Sequence, residues 1–417
     1  MNAIKKISAL EILDSRGNPT VKATVALENG ILGSAAVPSG ASTGKYEALE
    51  LRDSDTRYGG QGVLTACDNI EKNISKEISG IDAFDQKKID EILVEMDGTE
   101  NKSNLGANAT LAVSLAAARA AAKSENTPLF EYLAKNYSFR KPKNIPTAFF
   151  NILNGGAHAD SGLSIQEFQI IPREFENFSE KVRVASEIFH KLKELLVGAG
   201  FSAGVGDEGG FAPKLESNVE ALDYVEKAIE ESGYSFAGTV SIGIDAAASS
   251  FFESSQSSYI LKPENISLEP ERLIALYQEW KKKYKIFSIE DGLAEDDFES
   301  WKMMNGKMGD NTLIVGDDLL ATNKNRLEKA LSFSAINAAI VKPNQIGTLS
   351  ETMEFIKKCQ KNKIKIVVSH RSGETEDDFI ADLAVAAGAE FVKFGAPCRG
   401  ERTAKYNRLL EIENEIK

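Results

Sequence analysis

The stretches VSIGID at 240–245, KIFSIEDG at 285–292, TLIVGDD at 312–318, AAIVKPNQ at 338–345 and IKIVVSHRS at 364–372 decide the fold. Each is a short apolar run, rich in β-branched residues, that stops at ionisable side chains. Segments of helical length separate them. That alternation is the pattern of repeated βα units with a parallel sheet. Working outward, similar runs occur at Ala148 to Ile152, Phe168 to Ile171 and Phe391 to Val392. With Val240 to Ile244, Ile286 to Ile289, Leu313 to Val315, Ala338 to Val341 and Ile364 to Val368 they number eight, which predicts a TIM-like β/α barrel.

Upstream the grammar changes. From Ile7 to Pro38, Val21, Ala23, Val25 and Leu27 alternate with Lys22, Thr24 and Ala26, and Glu28-Asn29-Gly30 supplies a turn. This predicts an antiparallel meander. Between Gln61 and Ala122 the spacing becomes helical, with Ile70, Ile74 and Ile78 four residues apart. Pro128, Pro142 and Pro146, with the basic run Arg140 to Lys143, mark a linker. The fold class is therefore α/β. An N-terminal α+β capping domain spans 1–130, and a β/α barrel at 140–417 carries the active site.

Composition narrows the function. A net charge of −13 over 417 residues argues against a general affinity for nucleic acid or anionic membranes. Cys67, Cys359 and Cys398 show no zinc or disulfide spacing, which fits a reducing cytosol. Glu11 and Asp14 interrupt any signal-peptide core near the start, so a cytoplasmic location is expected. The Ala-rich run Leu105 to Ala122 contains Asn108 and Arg119 and reads as a buried helix rather than a membrane span.

Six of the eight runs end in ionisable residues: Asp245, Glu290, Asp317, Lys342, His370 with Arg371, and Lys393. The C-terminal rim is where this architecture carries its chemistry. Asp245, Glu290 and Asp317 lie on successive strands, and three carboxylates suit a hard cation such as magnesium better than zinc. A solvated acidic rim is the plainer alternative. Lys342 and Lys393 would face the metal. Mutual repulsion would lower a lysine pKa and make a general base, whereas pairing with a rim carboxylate is the commoner fate. Glu167, after Gln166, and Glu208, in the Gly204 to Gly210 segment, would raise one another's pKa in a shared cleft. A protonated Glu opposite a basic lysine suits an anti elimination. Arg371 and Ser372 form a plausible phosphate grip.

Two motifs mislead. Gly204 to Gly209 matches a dinucleotide fingerprint, but it follows a helical stretch, and Asp207 and Glu208 would repel pyrophosphate. Gly40 to Lys45 resembles a phosphate-binding P-loop but is one residue short, with Tyr46 where Ser or Thr is needed. A mobile loop over the ligand is the better reading.

The segments LDSRGNPTV, PSGASTGKYEALELRD, NGGAHA, QEF, GDEGGFAP, SIEDG, GDDLLATN, VKPNQIGT, SHRSGETEDDFIADLAV and GERTAKYNRLLEIE resemble the enolase family, in order, across essentially the whole chain. The resemblance implies magnesium-dependent, reversible dehydration of 2-phosphoglycerate to phosphoenolpyruvate. It implies two Mg2+ ions per site, the first held by Asp245, Glu290 and Asp317 and the second by Ser42 as a loop from Ser39 to Thr43 closes. Lys342 would take the C2 proton, and Glu208, supported by Glu167, would assist hydroxide departure. His158, Gln166 and Ala41 would line the substrate site. Arg371 and Ser372, beside His370, would hold phosphate, and Lys393 the carboxylate. A homodimer or octamer is implied, with plasminogen or an RNA-degradation assembly as occasional family partners. Rival readings are another enzyme of the wider superfamily acting on a carboxylic acid, or a noncatalytic binding protein of this fold. Phe394 departs from the usual Thr beside the lysine, with effects expected on rate or affinity. Gly400 stands where Ser is common.

Overall fold

The computed structural model describes residues 2–40, 44–54, 56–236 and 238–417. Three strands open the chain: β1 (Ile4–Leu13), β2 (Pro19–Leu27) and β3 (Leu32–Ala36). They form the expected antiparallel meander, β1 against β2 and β2 against β3. Period-two alternation buries Val21, Ala23, Val25 and Leu27 on one face. The helix Ala107–Ser124 lies on that face. Its small side chains permit very close approach: a Cβ at Gly33 would meet the Ala116 carbonyl oxygen at 2.4 Å. Ile70, Ile74 and Ile78 are buried as their spacing predicts. Pro128 belongs to no linker, because it sits directly before the helix Leu129–Asn136. The irregular connection runs only from there to the first barrel strand.

The barrel strands are β4 (Thr147–Asn154), β5 (Glu167–Pro172) and β6 (Val240–Asp245). A small antiparallel ribbon follows, β7 (Phe252–Glu253), β8 (Ser258–Leu261) and β9 (Ile266–Leu268). The barrel then resumes with β10 (Ser288–Glu290), β11 (Leu313–Gly316), β12 (Ala338–Val341), β13 (Lys365–Ser369) and β14 (Phe391–Lys393). The ring closes in the order β4, β5, β6, β10, β11, β12, β13, β14.

The parallel pattern read from the repeated βα units is broken at one strand. β5 pairs antiparallel with both β4 and β6, whereas the other barrel pairs are parallel. The geometric reason is the connection from β4. A return of about a dozen residues with no α-helix brings the chain back beside β4 in the opposite sense. β6 follows two helices and enters antiparallel to β5, and from β11 on each barrel strand is reached through a helix that carries the chain back for a parallel entry.

Inside the barrel, a second apolar cluster separate from the main core is built from Phe149, Ile171, Leu313, Val315, Ala338, Ile340, Val367 and Phe391. This is a packed floor, which leaves the opposite end to hold polar groups.

Candidate active site

The rim follows from the floor by strand alternation. Side chains two residues apart share a face. The inward series Leu313, Val315 therefore continues to Asp317, Ala338 and Ile340 to Lys342, and Phe391 to Lys393. On reversed β5 the series runs backwards, from Ile171 through Gln169 to Glu167. Register places Glu167 beside Asp245 and Asp245 beside Glu290, three carboxylates abreast on adjacent strands. Like charges directly opposite repel. Lys393 offsets this, because Nζ donates to Glu290 Oε1 at 2.7 Å, Glu167 Oε1 at 2.9 Å and Asp245 Oδ2 at 3.1 Å. All four side chains are essentially buried.

Across the ring, Lys342 is ion-paired with Asp317 Oδ2. Gln345 Nε2 donates to the other Asp317 oxygen at 3.1 Å, and Thr322 fixes the Gln345 amide from behind at 2.8 Å. β5 and β12 stand four strands apart in a ring of eight, so Glu167 and Lys342 face each other across the mouth.

The lysines do not show the lowered pKa expected from mutual repulsion. Burial would lower Lys342, but the Asp317 charge outweighs it and raises the group. Burial likewise opposes Lys393, and Glu167, Glu290 and Asp245 hold it well above the usual lysine range. In this arrangement both lysines serve as partners of rim carboxylates.

Glu208 comes from the Gly204 to Gly210 segment. Gly206 brings backbone against backbone, since a Cβ there would meet the His158 carbonyl oxygen at 2.5 Å. This seats Glu208 beside Asn151 Nδ2 at 3.0 Å, with His158 Nδ1 at 3.5 Å and His370 Nε2 at 3.4 Å. One carboxyl of the Glu167–Glu208 pair is indeed raised, but it is Glu167. Burial and the Glu208 and Asp245 charges push it up to about 8 against Lys393 and His158. Burial would raise Glu208 too, but the two imidazoles more than reverse this and hold it well below the carboxylate range. His158 in turn is raised, because the Glu208, Glu167 and Asp245 charges outweigh its burial.

Arg371 reaches the same mouth, but its fork grips Glu47, with Nη1–Oε2 at 2.7 Å and Nη2–Oε1 at 3.1 Å, and Asn344 Oδ1 at 3.1 Å. Ser372 and Gln166 line the same space, and Gln166 Nε2 lies 3.4 Å from Asp245 Oδ2. Ser42 and Ala41, and the 41–43 part of the expected closing loop, lie outside the described residues. Ser39, at the loop's start, pairs with Gly373 in both directions, at 2.7 and 2.9 Å.

Sequence reasoning missed Glu47, Asn344, Gln345, Asp291 and Asp318. Asp291 accepts the backbone N–H groups of Asp317 and Asp318 at 2.8 and 2.7 Å. Asp291 and Asp318 each directly follow a carboxylate already singled out, so adjacency was the available signal. A wider groove of about 750 Å³ lies elsewhere, but the acids lining it include Asp377 and Asp378, already ion-paired to Arg119. Converging charge, not volume, marks the site.

Among the described residues, two groups present ligand atoms within 4.8 Å of one another: His158 with Glu167 and Glu208, and Asp291 with Asp317 and Asp318. The expected trio of Asp245, Glu290 and Asp317 is not one of them, since lysine ammoniums stand among its carboxylates. Their chemistry nonetheless fits a hard divalent cation, because Lys393 already draws two of the three around one positive charge.

A family model described as the enolase C-terminal TIM barrel domain matches residues 142–417, and one for the enolase N-terminal domain matches 4–133. The chain belongs to the enolase family. An enolase of a Nitratiruptor species is 52% identical over 413 residues, covering 99% of this chain and 97% of the relative. Enolases of Wolinella succinogenes and Helicobacter hepaticus are 49% and 50% identical, covering 99% of this chain and 97% and 96% of their own lengths. The family implies a lyase that uses a divalent metal, and the acidic clusters accord with that. Among the described residues, no helix is long and apolar enough to cross a membrane.

Proposed function

We propose that the chain catalyses the reversible, magnesium-dependent dehydration of 2-phospho-D-glycerate to phosphoenolpyruvate and water, a step of glycolysis and gluconeogenesis. The observation that carries this reading is the opposition of Lys342 on β12 to the Glu167–Glu208–His158 group across the barrel mouth. Anti elimination needs a base and an acid on opposite faces of the substrate. Lys342 takes the C2 proton, and the C2–H electron pair passes toward the substrate carboxylate. The C2–C3 double bond then forms as the C3–O bond breaks, and hydroxide leaves with a proton that Glu208 relays from Glu167 or His158, the two groups whose pKa is raised. Glu167 and His158 keep that proton within the site.

Asp245, Glu290 and Asp317 would hold one Mg2+, and Ser42 would contribute to a second. Bound there, the metal supplies positive charge for the carboxylate dianion that develops on proton removal and takes up the Asp317 charge that otherwise keeps Lys342 protonated. Arg371 and Ser372, beside His370, hold the phosphate, which must compete with Glu47 for the guanidinium fork. Lys393 steadies the substrate carboxylate, and Gln166 and Ala41 line the remaining wall. Division into units 1–130 and 140–417, a homodimeric or octameric assembly and a cytoplasmic location belong to the same reading.

The test is incubation of the purified protein with 2-phosphoglycerate, following product absorbance with Mg2+ and then with chelator. A magnesium-dependent rise, lost in Lys342→Ala and Glu208→Ala, is expected. A folded, magnesium-loaded protein without turnover would rule the reading out.

A further inference from the structure

Arg402 lies on the C-terminal helix Gly400–Ile416 and is fully buried. The hydrogens on its two terminal nitrogens are all accounted for. Nη1 donates to His370 Nδ1 at 2.7 Å and to the Arg371 carbonyl, and Nη2 donates to the carbonyls of Asp207 at 2.9 Å and Ser372 at 2.6 Å. A guanidinium offers donors only. The ring nitrogen that meets it must therefore be unprotonated, and the proton of a neutral His370 must sit on Nε2. The ring is neutral, because burial and the Arg402 and Lys393 charges bring its pKa down to about 3 against the pull of Glu208.

Nε2 is buried and forms no well-aligned hydrogen bond among the described residues, although Glu208 Oε2 lies 3.4 Å away. A fixed N–H group is thus aimed into the mouth beside the acid. Its counterpart His158 meets the same carboxylate from the other side.

We propose that Arg402 is a positioning residue that locks His370 in the Nε2–H tautomer, so that the site presents one neutral, oriented donor to a substrate oxygen next to Glu208. Only the identity of that oxygen rests on the dehydratase reading. Asp207 precedes Glu208, and Arg371 and Ser372 follow His370, so one guanidinium also ties together the two segments that deliver them. The wrong tautomer would turn an acceptor lone pair toward the Glu208 carboxylate, which repels it.

The chain has three histidines, which makes a direct test practical. In protein labelled with 15N-histidine and free of substrate, long-range 1H–15N correlation at pH 7 should show His370 with an unprotonated Nδ1 and a protonated Nε2. Spectra of His190→Gln and His158→Asn assign the signals by elimination. A proton on Nδ1, or on both nitrogens, overturns the proposal. Arg402→Met should populate the Nδ1–H form and lower kcat on the order of 10- to 100-fold, with little change in KM. Arg402→Lys, also a pure donor, should recover part of both effects. A folded Arg402→Met with unchanged tautomer and rate also overturns it, and if neither variant folds the wild-type spectrum decides alone. An inactive protein with the Nε2–H ring would sink the dehydratase reading and leave the tautomer assignment standing.

Discussion

The two ends of the barrel are made by the same strands yet obey different physics. At the floor, Ile340, Val315 and Phe391 gain stability by leaving water, an effect without direction or partner. Two residues further along, Asp317 and Lys393 have also left water and Lys342 is largely shielded from it, at a desolvation cost that only their mutual pairing offsets. The floor tolerates change in proportion to volume. The rim tolerates change only in matched sets, and the energy tied up in those pairs is what a substrate or metal can redirect.

That contrast can be attacked from both ends. The largest effect is expected from Lys342→Ala, which should lower kcat by roughly 100- to 10,000-fold while leaving the floor packed. Steady-state turnover and a melting curve together check this. Next comes Lys393→Met, which strands three buried carboxylates. Chemical denaturation without metal should show a loss of about 3–5 kcal/mol, partly recovered on adding Mg2+. A floor substitution, Ile340→Ala, should cost about 2–5 kcal/mol in the same assay yet leave kcat nearly unchanged in the protein that remains folded. If it cuts turnover as deeply as the rim variants, the two ends are not separable.

A buried carboxylate outside both regions sharpens the comparison further. Asp90 accepts from Gln86 Nε2 at 3.1 Å and from the Ser350 backbone N–H at 2.8 Å, joining the first domain to the helix Leu349–Lys361. Burial, only partly offset by these hydrogen bonds, raises its pKa to about 6 from an ordinary value of 3.8. The folded state therefore binds the proton more tightly. Stability from this group is complete below about pH 4 and is lost as pH rises through about 6, on the order of 2–3 kcal/mol. Asp90→Asn should flatten that slope in denaturation curves measured between these pH values, without moving the rate profile.

Most of the architecture was legible because it depends on periodicity. The alternation of Val21 to Leu27 and the apolar runs ending in charge both translate directly into buried faces. The direction of β5 was not read, since the run Phe168 to Ile171 is apolar whichever way it points. A clue was present: Glu167 precedes its run, while Asp245, Glu290, Asp317, Lys342 and Lys393 end or follow theirs. The protonation pattern was out of reach for a different reason. Whether Lys342 is depressed or raised depends on which charge stands nearest, and Asp317 is 25 residues away in sequence. Glu47 on Arg371 joins residues 324 positions apart, beyond any local signal. The neighbour of Lys393 that looked troubling, Phe394, turns out to face the other way. It packs fully buried near Tyr406, with ring centres 5.8 Å apart, so Phe394→Thr should cost stability but change turnover by less than about twofold.

The reversed strand has one more consequence. Elsewhere around the ring a rim residue hands the chain on to whatever comes after it, so a loop over the mouth starts where a strand's work is done. At β5 the order inverts. The chain passes over the mouth first, through His158 and Gln166, and only then enters the wall at Glu167. The cover and the carboxylate beneath it belong to one segment, with Gln166 joined directly to Glu167. A shift in the cover is thus felt at Glu167 through covalent bonds alone, much as pulling a bell rope moves the clapper.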